Sequence, residues 1–259
     1  MNREQLNEFL ETYVAKYNIP EFIENDPIQI PHQFTAKEDI EIAGFLSASI
    51  AWGQRPVIIR NANRLLEMMD FAPADFVRNC QESDLNVFSA FKHRTFQAVD
   101  MQFFIRSLQN IYQNFGGMEN VFTKGFNSDA KTAIIDLNRI FNSVNHLNRS
   151  EKHLSNPAKN SAAKRLNMFL RWMVRNDNKG VDFGLWKKIS PSKLMLPLDV
   201  HTARVGRGLG LLNRKKNDWK AVEEITNSLR TFDSSDPIKY DFALFGFGVN
   251  ETKNKTMGS

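Results

Sequence analysis

Apolar positions recur at helical spacing along most of the chain, and no useful stretch alternates apolar and polar residues as a half-buried strand would. Leu6, Phe9, Leu10, Tyr13, Val14 and Tyr17 predict an amphipathic helix over 3–17. Pro20, Pro27 and Pro31 then make 19–34 an extended connection. Thr35-Ala36-Lys37-Glu38 has the form of a capping box, and the helix it opens, 36–51, is apolar enough to be buried. Pro56 stands in the first turn of the next helix, 56–69, with Arg55, Arg60 and Arg64 on its outer face. A short helix over 72–80 follows, and further helices over about 97–115, 118–126 and 130–145. Residues 84–96 are rich in Phe and give no clear period, 146–160 read as a loop, and 181–198 as irregular. The remaining helices cover 161–175, 200–211, 219–231 and 237–248. Asp218 and Asp236 are the expected N-caps of the last two, and Pro237 the first helical residue. About ten helices make an all-α chain, with 251–259 as a loose tail.

Composition narrows the class. The 259 residues are enough for a substantial core, and 42% hydrophobic with 24% charged residues is ordinary for a soluble protein. No run approaches the roughly 20 apolar residues of a membrane span, and the first residues lack the apolar centre of a signal peptide. A single cysteine, Cys80, allows neither an internal disulfide nor a four-thiolate cluster, so the expected compartment is the cytoplasm and no cofactor is expected. No metal site is expected either. No Walker loop, GxGxxG, GxSxG or HExxH is present. Charge is uneven: residues 1–150 hold 14 Lys/Arg against 18 Asp/Glu, and 151–259 hold 20 against 11. A basic C-terminal part suits a polyanion, although a solvated surface of uneven charge explains it equally well.

Two basic helices carry the candidate chemistry. In 161–175, Leu166, Phe169, Leu170 and Met173 share one face, while Lys164, Arg171 and Arg175 share another and read as a stripe for phosphates. A solvated basic face is the simpler reading of that stripe. Lys164 lies at the helix start beside Arg165, a setting that favours the neutral amine a nucleophile needs. The second helix follows Pro197-Leu198-Asp199-Val200-His201. Asp199 suits an N-cap whatever else it does, and His201, Arg204 and Arg207 adjoin on one surface. Gly206 and Gly210 are unusual in a helix and imply close packing there, by another helix or by a DNA backbone.

At these residues the chain resembles the helix-hairpin-helix DNA glycosylase superfamily. The features that carry the resemblance are Lys164, the turn Pro197-Leu198-Asp199-Val200-His201, then Arg204 and Leu209-Gly210-Leu211. A weaker match is Ala48-Ser49-Ile50-Ala51-Trp52-Gly53-Gln54. The 35-residue interval from Lys164 to Asp199 is similar to the archaeal 8-oxoguanine glycosylase-like branch, and the whole chain also resembles a bacterial family of unknown function. The Gly-x-Gly of the typical hairpin is replaced by Pro157-Ala158-Lys159-Asn160-Ser161, in which Asn160 is the residue suited to a left-handed conformation.

The resemblance implies an all-α fold of two helical subdomains with a cleft between them. One would comprise 1–35 and 199–250; the other, 36–198, would be a helical barrel with the hairpin-like segment at about 155–175. It implies a DNA base-excision glycosylase with lyase activity. A damaged nucleotide, an oxidised purine by preference, is flipped out. Lys164 attacks C1′, and Asp199 assists. The partner would be double-stranded DNA with a damaged base or abasic site, bound by a monomer. Trp52, Gln54 or Arg55 would fill the gap in the duplex. Asn160, Arg171, Arg175, His201, Arg204 and Arg207 would hold the backbone, and Phe245 and Phe247 would stack on the base. Core packing explains those two aromatics more simply. The alternatives are a non-catalytic DNA-binding protein of the same fold and a helical interaction protein with no nucleic acid partner.

Overall fold

The computed structural model describes residues 1–251 and is almost entirely helical. Among the described residues there are eleven α-helices. They are α1 (Arg3–Tyr17), α2 (Lys37–Ser49), α3 (Arg55–Glu67), α4 (Pro73–Asn79), α5 (Ala98–Asn114), α6 (Met118–Gly125), α7 (Ala130–Phe141), α8 (Lys164–Val174), α9 (Val200–Gly208), α10 (Trp219–Arg230) and α11 (Tyr240–Gly246). Short 3-10 turns fill several connections, and one π turn, Phe247–Glu251, follows α11. The Phe-rich stretch without a period resolves into a 3-10 helix, Asp84–Ala90, and a minimal hairpin in which β1 (Lys92–His93) pairs antiparallel with β2 (Phe96–Gln97). Most of the expected loose tail lies outside the described residues. Among the described residues, no helix is long and apolar enough to cross a membrane.

The chain forms two compact units. One is Ile23–Asn156 and the other joins Met1–Phe22 to the chain from Pro157 onward. The boundary differs from the expected one: α8 and the 157–198 segment belong with the terminal helices, and 23–35 belongs with the middle of the chain. A helical period identifies elements, whereas their grouping depends on which apolar faces meet.

In the Ile23–Asn156 unit, α2 is buried along nearly its whole length, as its composition required. Phe104 is the centre of an aromatic cluster, edge-on to Phe96 at 5.1 Å and to Phe141 at 4.8 Å. The expected capping box at Thr35 does not form. The helix starts two residues later, with Ala36 at the N-cap and no side-chain cap bond. Glu38 instead pairs with Arg78 of α4 at 3.2 Å. Caps that the pattern did not reveal hold α5, through Gln97 and Asp100, and α7, through Asp129.

In the other unit, α1 packs on α11. Tyr13 and Phe9 meet the Phe247 ring at 5.0 and 5.2 Å. Asp218 caps α10 as expected. Asp236 precedes only a 3-10 turn and makes no cap bond; its carboxylate binds Arg175 at 2.9 Å. Gly206, in α9, and Gly210, just after it, serve different ends. A side chain at Gly206 would come within 2.6 Å of Ile225, so the close neighbour is α10. Gly210 lies beyond the helix at φ 75° and closes it. Leu211 N–H donates to Gly206 C=O and Gly210 N–H to Arg207 C=O, the two bonds of a Schellman motif. The helix therefore ends earlier than its sequence period suggested.

Candidate functional site

The approach to α8 is built by local backbone geometry. A 3-10 turn, Pro157–Lys159, leads to Asn160 at φ 60°, the left-handed residue the sequence indicated. Ser161 then makes an isolated bridge to Asp218. Ala163, the N-cap of α8, is also left-handed, at φ 46° and ψ 37°, and is almost wholly buried. Such a conformation costs an alanine roughly 1–2 kcal/mol. The surroundings hold it in place: Ala163 N–H reaches the Ser161 hydroxyl at 3.2 Å, and the buried Asn167 donates its amide to Ala162 C=O at 3.1 Å. Strain of this kind collects at functional sites. Lys164 is the next residue and the first of α8, half-buried, with no hydrogen bond or ion pair of its own among the described residues.

Asp199 caps α9 as expected, and one oxygen performs the task. Its Oδ1 accepts the N–H groups of His201 and Thr202, each at 2.8 Å. Oδ2 has no hydrogen-bond partner among the described residues, and the side chain is half-buried. No direct ion pair joins Lys164 to Asp199 among the described residues.

The two are linked through a third group that the sequence reading overlooked. Asp241, in α11, is buried and bonds Arg171. Burial pushes its carboxyl up to about pH 6; Arg171 opposes the shift, the Asp199 charge adds to it and the Lys164 ammonium resists it. Lys164 and Asp199 thus both act electrostatically on Asp241. The available signal was a lone carboxylate inside the apolar run Tyr240-Asp241-Phe242-Ala243-Leu244.

The other predicted site residues divide by burial. Arg171 and Arg175 do not form an outward stripe for phosphates. Their residual exposures are 4% and 1%. Arg171 binds Asp182 at 3.2 Å as well as Asp241. Arg175 binds Asp182 at 3.0 Å, Asp236 at 2.9 Å and Asp177 at 2.6 Å. Both guanidiniums lie against the Phe242 ring, at 4.4 and 5.3 Å from its centre. Burial lowers the Arg175 pKa, but the surrounding carboxylates outweigh it and hold the group firmly charged. The helix turned its stripe inward because four aspartates and an aromatic ring wait there.

Arg207 is likewise committed to structure. It donates to Arg214 C=O at 2.7 Å, Lys215 C=O at 2.9 Å and Asn217 Oδ1 at 2.6 Å, and so ties down the loop before α10. Phe247 is half-buried and packs against Phe9 and Tyr13, as the simpler core reading has it. Arg204 is exposed and donates to Gly248 C=O at 2.7 Å in the π turn. His201 and Phe245 are half-buried and meet edge to face at 6.5 Å.

The remaining three predicted residues, Trp52, Gln54 and Arg55, belong to the Ile23–Asn156 unit. Gln54 is exposed at the N-cap of α3, and Arg55 is the first residue of that helix. Trp52 is half-buried on two histidines. His93 meets it edge-on at 4.8 Å, and His153 lies nearly parallel at 6.0 Å. No group of three or more His, Cys, Asp or Glu suited to a metal ion occurs among the described residues.

An all-α chain with a lysine at one helix start and a capping aspartate at another is the class that fold and site define. The chain belongs to the DUF2400 family, described as a protein of unknown function, whose pattern matches residues 26–250. That span covers α2 to α11 and every predicted site residue. Neither a curated protein nor a solved structure matches the chain.

Proposed function

We propose that the protein is a DNA base-excision glycosylase with associated lyase activity, acting on duplex DNA that carries a damaged base, an oxidised purine by preference. The observation that carries the reading is that Lys164, with no hydrogen bond or ion pair among the described residues, and Asp199, with an uncommitted oxygen, both act electrostatically on the buried Asp241. Lys164 follows a strained residue and opens a helix, so its Cα is rigidly held. In the proposed reaction the Lys164 amine bonds to C1′ as the glycosidic bond breaks, and the base leaves with that electron pair. Asp199 receives a proton from the lysine and stabilises positive charge on the sugar. Breaking of the C1′–O4′ ring bond, with a proton passing to O4′, turns the product into a Schiff base, and β-elimination from it breaks the C3′–O bond to the 3′ phosphate.

Borohydride reduction tests the reading directly. A covalent complex with an 8-oxoguanine or abasic duplex is expected, and Lys164→Gln should abolish it. Trapping that survives the substitution rules out this nucleophile. The second reading, DNA binding without catalysis, draws on the absence of a direct Lys164–Asp199 ion pair. Tight binding of abasic duplex with no trapping and no nicking would select it.

A further inference from the structure

The hairpin at Lys92–Gln97 carries a surface that the sequence reading did not find. The ladder pairs Lys92 with Gln97 and His93 with Phe96, leaving Arg94 and Thr95 as a two-residue loop. Arg94 is exposed and has φ 55°, a conformation that tight hairpin loops normally assign to glycine or asparagine. It has no ion pair or hydrogen bond among the described residues. Its side chain runs across Gly53: a Cβ there would lie 2.9 Å from the guanidinium and 3.3 Å from Cδ. Gly53 itself has φ 108°. Two unusual backbone positions therefore bring a cation onto the turn that holds Trp52 and Gln54.

The mount is rigid. The His93 ring is buried and bridges Trp52 C=O, at 3.1 Å, and the Asn61 amide, at 2.8 Å. Arg149 donates to Thr95 C=O at 3.0 Å and is fixed in turn by the fully buried Asp100 at 2.9 Å. A strained, solvent-facing arginine held by buried clamps gains nothing visible within its own unit. An exposed guanidinium on a rigid hairpin, beside a half-exposed indole and an exposed amide, is the chemistry that recognises a phosphate next to an unstacked base.

We infer that the Lys92–Gln97 hairpin is a DNA-binding element in which Arg94 contacts a backbone phosphate alongside the Trp52–Gly53–Gln54 turn. The inference rests on the proposed DNA reading but not on its chemistry. Arg94→Gly tests it, because glycine suits the loop conformation while removing the cation. Binding to a duplex with a tetrahydrofuran abasic analogue is followed by fluorescence anisotropy across a salt series. Arg94→Gly should weaken binding about tenfold at low salt and reduce the log–log salt slope by about 1, with an unchanged or slightly higher Tm. Arg94→Lys should keep the salt slope. Unchanged affinity and slope in Arg94→Gly would overturn the inference while wild-type trapping left the enzyme reading intact. Wild-type binding without trapping would remove the enzyme reading alone, and a wild type that does not bind this duplex would overturn both.

Discussion

The two ends of α8 carry the same kind of residue to opposite fates. Lys164, at the start, is half-buried and has no hydrogen bond or ion pair among the described residues. Arg171 and Arg175, two and three turns on, are buried among Asp177, Asp182, Asp236 and Asp241. All three fall on one helical face. What separates them is the material that each part of the face meets. Positive charge counted along a chain is therefore not positive charge offered to a ligand. Several of the arginines after residue 150, Arg171 and Arg175 among them, bind carboxylates inside the unit. Those arginines are not offered to a polyanion, whereas Lys164, at the other end of the helix, is half-buried and has no hydrogen bond or ion pair among the described residues.

The largest effect should come from the buried end. Removing one member of a buried, hydrogen-bonded ion network leaves uncompensated charge and costs about 3–5 kcal/mol. Arg175→Ala strands three carboxylates and should reduce unfolding free energy by that amount in urea titrations. A loss below about 1 kcal/mol would sink the contrast between the two ends.

Asp241 gives the next effect, and it has a sign in pH. Its carboxyl is raised above the ordinary value of 3.8 to about 6 in the folded protein. The protonated form therefore favours folding. That contribution is complete below pH 4 and is lost as pH rises through about 6. A shift of this size corresponds to roughly 3 kcal/mol. Asp241→Asn mimics the protonated acid and should be spared the loss. Relative to wild type, the variant should gain stability as pH goes from 4 to 7, on top of any constant difference from the changed Arg171 bond. A wild-type-to-variant difference that stays flat over that range would contradict the assignment.

The exposed end should respond weakly in stability and strongly in function. Asp199→Ala removes the cap of α9 and should cost about 1 kcal/mol, whereas Asp199→Asn keeps a capping oxygen and should cost little. If Asp199 also assists Lys164, both variants lose borohydride trapping or nicking. Asparagine retaining full activity would reduce Asp199 to a cap. Lys164→Gln should change stability by less than about 0.5 kcal/mol, because it touches no partner. A clear destabilisation there would place Lys164 with the structural cations at the other end of its helix.

The sequence by itself determined the helices and several of their ends. Periodic apolar positions, proline at first turns and Asp199 and Asp218 as caps depend on contacts within a few residues, so they are legible along the chain. Asn160 in a left-handed conformation was legible for the same reason. The failures have one cause. Glu38 and Asp236 have the residue type of helix-start signals but bind arginines distant in sequence instead. Arg171, Arg175 and Arg207 have the type of surface cations but satisfy carboxylates and carbonyls of other elements. Asp241 looked like an ordinary helical acid until burial and three neighbouring charges altered it. Whether a charged side chain faces water or a counter-charge depends on what packs against it, and no local pattern encodes that. Only the tertiary structure decided which basic residues are buried among carboxylates, as Arg171 and Arg175 are, and which are not, as with Lys164 on α8 and Arg94 on a hairpin too short to announce itself in sequence.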